Sequence, residues 1–237
     1  MTELIVIRHG ETDSNREHRF QGQLDVPLNA TGLQQAERLA EALASEPFDA
    51  MVASDLQRAR QTAAPLADRR GLEVRADAAW REQSFGQIEG LRVKALHEQQ
   101  PELFARWAQH DADFALPGGE SVRRFHARIL AAAGRLAEAF PRRRVLLVTH
   151  GGVLDMLWRS AHGESLDGPR RCPIPNAGIN RLRWVAGRLE IVHWADDRHL
   201  AGLPQQPTTV PLSVRLKEWA AGRQPPPVDD PDEPPVP

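Results

Sequence analysis

The sequence predicts an α/β domain with a largely parallel sheet, and three observations carry that reading. Short apolar runs alternate with longer stretches of helical period, the pattern of strands joined by crossover helices. The runs at residues 4–7 and 145–148 are continuously apolar, as strands covered on both faces must be. The chain of 237 residues, 41% hydrophobic, can build one well-packed domain or at most two small ones.

In order along the chain, residues 4–7 form the first strand. A helix follows, with Thr31 as its N-cap, Gln34 three residues on, and Leu33, Ala36, Ala40 and Leu43 at helical spacing. Residues 49–53 read as the next strand and 56–69 as the helix after it; a third strand at 72–74 leads into a loop carrying Trp80 to Gly90. Residues 91–116 are a helical excursion rich in Glu, Gln, Arg and aromatics, closed by the turn Pro117-Gly118-Gly119. A longer helix spans about 120–140, because Val122, Phe125, Ile129, Ala133, Leu136 and Phe140 mark one face. Residues 145–149 are the second strongly buried strand, and 182–185 with 189–194 form a terminal hairpin.

Composition excludes several classes. Thirty basic against 32 acidic residues give a net charge of -2, far from the basic excess of a protein that coats nucleic acid. Cys172 has no partner in the chain, so no internal disulfide forms and a reducing compartment fits. The longest apolar runs are far below the roughly 20 residues that span a bilayer, and the first run is too short for a signal-peptide core. A soluble, cytoplasmic protein without membrane or nucleic-acid partners is expected. Ten of the 19 prolines lie in residues 204–237, which read as a Pro-rich tail with a short helix at 212–221 and a disordered end. The folded domain is then residues 1–203. The tail's Asp229, Asp230, Asp232 and Glu233 have no basic partner within residues 224–237, so the rest of the chain is slightly positive.

The chemistry gathers at strand ends. The first strand runs into Arg8-His9-Gly10 and the later one into Thr149-His150-Gly151-Gly152. Ligands of open α/β sheets bind outside the carboxyl ends of strands, so both histidines face that crevice. The glycines let the backbone turn and a ligand approach, and a helix starting at Gly151 aims free N–H groups at an anion. Arg58 starts the helix after the strand at 49–53, on the same edge. Two guanidiniums and two imidazoles at a helix terminus describe a phosphate pocket, with one neutral imidazole available as nucleophile. A zinc site at His9 and His150 is the competing reading; it lacks a third ligand and has arginines beside it, which repel a dication.

Six segments sharpen this: RHGETDSN at 8–15, QGQLDVPLNATGLQQA at 21–36, SDLQRARQT at 54–62, REQSFGQIEG at 81–90, PGGES at 117–121 and VTHGG at 148–152. In this order they resemble the histidine phosphatase superfamily, in its phosphoglycerate mutase-like branch. The resemblance implies a three-layer α/β/α sandwich and catalysis through a phosphohistidine without metal or other cofactor. By position, it implies His9 as nucleophile, Arg8, Arg58 and His150 as clamp on the phosphoryl oxygens, and Glu82 as proton donor. Asn15, Gln21 and Gly22 match the family's further phosphate contacts, and Gly151 opens the helix after His150. Trp80 and Phe85 are the expected apolar neighbours of Glu82.

The same chemistry serves a hydrolase or a mutase. Mutases of this family carry a longer insertion after the proton donor, with an adjacent arginine pair. Here residues 83–119 hold only Arg92, Lys94 and Arg106 as basic residues, so a phosphatase acting on a small phosphorylated metabolite is favoured over phosphoglycerate mutase. A non-catalytic phosphoryl-binding module and a metallophosphatase are the remaining alternatives. Specificity is expected from residues near 23–26, 83–119 and 173–180, with Ile174 and Asn176 at the pocket mouth. A homo-oligomer is left open, with Trp107, Trp158 and Trp184 as candidates for core or interface.

Overall fold

The computed structural model describes residues 1–204; the tail and its expected helix at 212–221 lie outside the described residues. In chain order the elements are β1 (Thr2–Arg8), α1 (Asp13–Arg16), α2 (Ala30–Ala42), β2 (Ala50–Ala53), α3 (Gln57–Arg70) and β3 (Val74–Ala76). Then come α4 (Val93–Gln99), α5 (Pro101–Ala108), α6 (Val122–Ala139), β4 (Arg144–Thr149), α7 (Gly151–His162), β5 (Ile179–Val185) and β6 (Arg188–Asp196). The six strands form one sheet in the order β3-β2-β4-β1-β5-β6. The first four are parallel, and β5 and β6 add an antiparallel edge.

Strand alternation builds the layers. On β1 and β4, Leu4, Val6, Val145 and Leu147 face α6 and α7, where they pack with Phe125, Ile129, Val153 and Leu157. Ile5, Ile7, Leu146 and Val148 face the other way, onto Leu39 and Leu43 of the α2 segment and Ala59 and Ala63 of α3. Both faces are dry, which is why these strands read as unbroken apolar runs, and the result is the expected three-layer α/β/α sandwich. The chain leaves β1 toward α2 on one face and leaves β4 toward α7 on the opposite face. The carboxyl ends of these adjacent strands are therefore a topological switch point, where the splayed connections open a crevice.

Several local expectations are corrected. The N-cap of α2 is Asn29, whose side chain accepts from Gly32 N at 2.9 Å; Thr31 sits inside the first turn. The buried face of this helix runs through Gln35, Ala36, Leu39 and Ala40, and Leu33, one position off it, is 50% exposed. The third strand begins at Val74 because Leu72 is still tied to the end of α3: Gly71 adopts the left-handed C-cap and Leu72 N donates to Ala67 O at 3.0 Å. The excursion is two helices, α4 and α5, restarted by Pro101 and folded on their own small core of Phe20, Ile88, Leu96, Phe104 and Leu116. Trp184 and Trp158 pack against the main core and Trp107 against the excursion core. Among the described residues, no helix is long and apolar enough to cross a membrane.

Candidate active site

The switch point is where the predicted residues meet. His9 N donates to Thr149 O at 2.8 Å, which ties the loop after β1 to the end of β4. Asn176 Nδ2 donates to His9 O at 3.0 Å, and Gly10 N donates to Thr62 Oγ1 at 2.9 Å. The His9 ring is oriented by its own Nδ1, which donates to Gly10 O at 2.7 Å. A carbonyl only accepts, so Nδ1 carries the proton and the neutral ring keeps its lone pair on Nε2. The His150 ring stands 5.2 Å away, centroid to centroid, and both of its nitrogens are buried without a hydrogen-bond partner. Burial first, then the charges of Arg58 and Arg8, push His9 well below the ordinary histidine range. Burial, followed by Arg58, His9 and Arg8, does the same to His150.

The cations sit beneath them. Arg8 donates from Nη1 to Ile174 O at 2.7 Å, and Arg58 donates to Leu24 O at 2.7 Å and Gly22 O at 2.8 Å. These bonds fix each guanidinium yet leave Nε of both buried and unpartnered. Burial lowers both to about 10, with Arg170 adding to the effect on Arg8, so both stay charged at neutral pH. Buried polar atoms are almost always paired. Nε of Arg8 and Arg58 and both nitrogens of His150 are orphans in one place; the neutral imidazole has one N–H, so three unpartnered donors are available there to an oxyanion.

α7 supplies the fourth wall. A β-carbon on Gly151 would lie 3.4 Å from Arg8 Nε and 3.5 Å from Arg170 Nη1, so the helix N-terminus, Arg8 and Arg170 converge. Glu82 reaches this terminus from the loop after β3: Oε2 accepts from Gly152 N at 2.9 Å and Oε1 from Gln83 N at 2.8 Å. Arg128 of α6 braces that loop, donating to the carbonyls of Ala79, Arg81 and Glu82.

The other expected positions divide. Gly22, at φ +49°, turns its carbonyl onto Arg58, and Gln21 Oε1 is buried without a partner beside it. Asn15 lines the cleft while its Oδ1 accepts from Thr12 N and Asn176 Nδ2. Trp80 is buried in the main core, Phe85 packs edge-on against Phe20 and lines the cleft with Glu82, and Phe125 lies 3.0 Å from where a Gly152 β-carbon would sit, beside the Glu82–Gly152 contact. Ile174 lines the cleft as expected. Asn176 does not: it is buried, with its amide on His9 O. Gly10 is needed less for a turn than for close approach, since a β-carbon there would lie 2.7 Å from Gly32 O.

A cleft of about 1390 Å³ borders this site, lined by Asn15, Glu82, Gly152 and Arg170 and by Trp107, Phe114 and Leu166, while Arg8, His9, Arg58 and His150 are buried and do not line it. Among the described residues, no three His, Cys, Asp or Glu side chains are grouped to hold a metal ion. Sequence reasoning missed Thr62, Arg128 and Arg170. Arg170 lines the cleft and has no hydrogen-bond or ion-pair partner among the described residues; the Gly-Pro-Arg-Arg run at 168–171 was the available signal.

Residues 4–197 match the histidine phosphatase superfamily (branch 1). "Phosphoglycerate mutase-like protein 4" of Arabidopsis thaliana is 36% identical over 202 residues, 84% of this chain and 86% of the relative. The solved structure of Bacillus stearothermophilus YhfR superposes with a TM-score of 0.79 at 29% identity, covering 84% of this chain and 100% of that one. Mycobacterial glucosyl-3-phosphoglycerate phosphatase, solved with VO3, gives a TM-score of 0.71 at 32% identity over 82% of this chain and 99% of its own. The chain belongs to the histidine phosphatase superfamily.

Proposed function

We propose that the protein is a metal-independent phosphatase that hydrolyses a small phosphomonoester through a phosphohistidine on His9. The observation that carries the reading is the hydrogen bond from His9 Nδ1 to Gly10 O, which leaves the Nε2 lone pair free close to Arg8 and Arg58, whose Nε atoms are unpartnered. Nε2 attacks phosphorus, the ester P–O bond breaks, and the Glu82 carboxyl passes a proton to the departing alkoxide. Arg8, Arg58, His150 and the amides opening α7 hold the equatorial oxygens as charge spreads over them. Water, deprotonated by the Glu82 carboxylate, then displaces His9; the P–N bond breaks and inorganic phosphate leaves. Asn15, Gln21, Gly22 and Gly151 complete the phosphate contacts. No step calls for a metal ion.

The mutase reading is favoured by the printed names of some relatives. Against it, the excursion is short and no two of its basic residues, Arg92, Lys94 and Arg106, are adjacent in sequence. The test is phosphate release from a panel of phosphorylated metabolites in EDTA, alongside 3-phosphoglycerate with a trace of bisphosphoglycerate. Phosphate release that survives EDTA is expected. Isomerisation outrunning phosphate release would establish the mutase, and activity abolished by EDTA would establish a metallophosphatase.

A further inference from the structure

The cleft continues past the phosphate end along one face of α7, where Gly152, Asp155, Met156 and Arg159 follow one another at spacings of three, one and three residues. Asp155 is 7% exposed. Its Oδ2 accepts from Arg159 Nε at 3.2 Å, whereas Oδ1 is buried with no partner. Arg159 does not reach it, because its remaining donors go to the carbonyls of Ser165, Asp167 and Gly168. His110, from the turn after α5, also lines the cleft, and its Nε2 is likewise buried without a partner. Burial and the Arg159 charge keep this imidazole neutral, against the opposing pull of Asp155. Two orphaned polar groups on one cleft are as unusual as those around His150 and call for the same kind of explanation, a ligand that completes them.

The chemistry of that ligand follows from the donors and charges present. Asp155 Oδ1 can only accept, so it needs an O–H or N–H from the ligand. Its negative charge is already answered by Arg159, with Arg170 close by, so nothing there asks for a cation. A neutral hydroxyl fits. At 1.5 Å per residue, Asp155 lies about 4.5 Å further along α7 than Gly152, a few bonds beyond an ester oxygen seated at the helix terminus.

We propose that Asp155 and His110 form a hydroxyl-binding subsite for the leaving group, which makes the preferred substrate the phosphomonoester of a polyhydroxylated alcohol. The role in turnover rests on the phosphatase reading; the binding does not. The test uses the full chain carrying His9→Ala, so that ligands are not consumed, and calorimetric titration with glucitol 6-phosphate and n-hexyl phosphate. These ligands share phosphate and chain length and differ in hydroxyls. Adding Asp155→Asn should raise the Kd for glucitol 6-phosphate about tenfold relative to that for hexyl phosphate. His110→Phe, which keeps a ring and removes both nitrogens, should move the ratio the same way. Equal weakening of both ligands would show that Asp155 only holds Arg159 and the 165–168 loop in place. An unchanged ratio, or no binding of glucitol 6-phosphate before the second substitution, would show a subsite filled by water alone. Either result overturns the proposal. Failure of the chain with His9 intact to hydrolyse either ester would reject the phosphatase reading and leave the binding comparison standing.

Discussion

His9 and His150 occupy equivalent places, each one residue past a central parallel strand and each followed by glycine, yet their hydrogen bonding differs. His9 is tied by Nδ1 to Gly10 O, with its backbone held by Thr149 and Asn176; His150 has no hydrogen bond at either nitrogen. One ring is oriented with a single lone pair outward, which suits a nucleophile. The other is a neutral group awaiting a partner, which suits an oxyanion contact. The glycines differ too. Gly10 lies against the backbone of Gly32, while the atoms nearest a β-carbon on Gly151 are in the guanidiniums of Arg8 and Arg170. A repeated sequence pattern therefore supplies two different parts, and the difference is written in hydrogen bonds.

The sharpest way to break this comparison is kinetic. His9→Ala should lower kcat by at least about 10⁴-fold, as loss of a nucleophile does, whereas His150→Ala should cost about 10²–10³-fold, as loss of one transition-state donor does. Similar losses in steady-state assays would erase the distinction. Glu82, attached to the His150 side through Gly152 N, gives the next effect. Glu82→Gln should slow hydrolysis of alkyl phosphates by about 10²–10⁴-fold and that of p-nitrophenyl phosphate far less, because p-nitrophenolate leaves without a proton; equal slowing would remove its role as acid.

The glycines separate on stability. Gly10→Ala forces a β-carbon to 2.7 Å from Gly32 O and should cost about 1–3 kcal/mol by denaturant unfolding. Gly151→Ala meets only side chains at 3.4 Å and beyond; it should keep the fold while weakening inorganic phosphate binding. The reverse ranking would mean that the two loops have been misread.

pH is where the two histidines should behave alike. Both are held well below the ordinary range by burial and by Arg58 and Arg8. The unfolded chain therefore takes up protons near pH 6.5 that the folded chain refuses. Their contribution is undiminished above that pH and falls as pH drops below it, by up to about 1.4 kcal/mol per unit for each histidine. His150→Gln should flatten the acid limb of a stability profile measured without phosphate; an unaltered limb would contradict the burial argument.

Sequence reading recovered the sheet and the gathering of Arg8, His9, Arg58 and His150 at one end of it because both depend on local signals. Continuous apolar runs marked β1 and β4, and the strand ends carried their histidines and arginines in short contiguous motifs. What escaped it is assembled across the chain. Thr62 reaches Gly10 from α3, Arg128 reaches the Glu82 loop from α6, and Arg170 reaches the α7 terminus from an irregular loop. None announces itself by spacing. Asp155 carries no signal in the sequence, since an unpartnered carboxylate oxygen is visible only when the neighbours that fail to reach it are known. Thr31 was misplaced because Asn29 is an equally good cap, whereas Ala36, Ala40 and Leu43 of the expected face are buried and Leu33 alone lies off it.

The central claim is that phosphorus is bonded to His9 during turnover. Rapid quenching of the protein with a 32P-labelled phosphomonoester, followed by peptide mapping, tests it directly. An acid-labile label on the peptide containing His9, absent from His9→Ala and still formed by His150→Ala, is the predicted result. Label on the His150 peptide, or undiminished labelling of His9→Ala, would contradict the account.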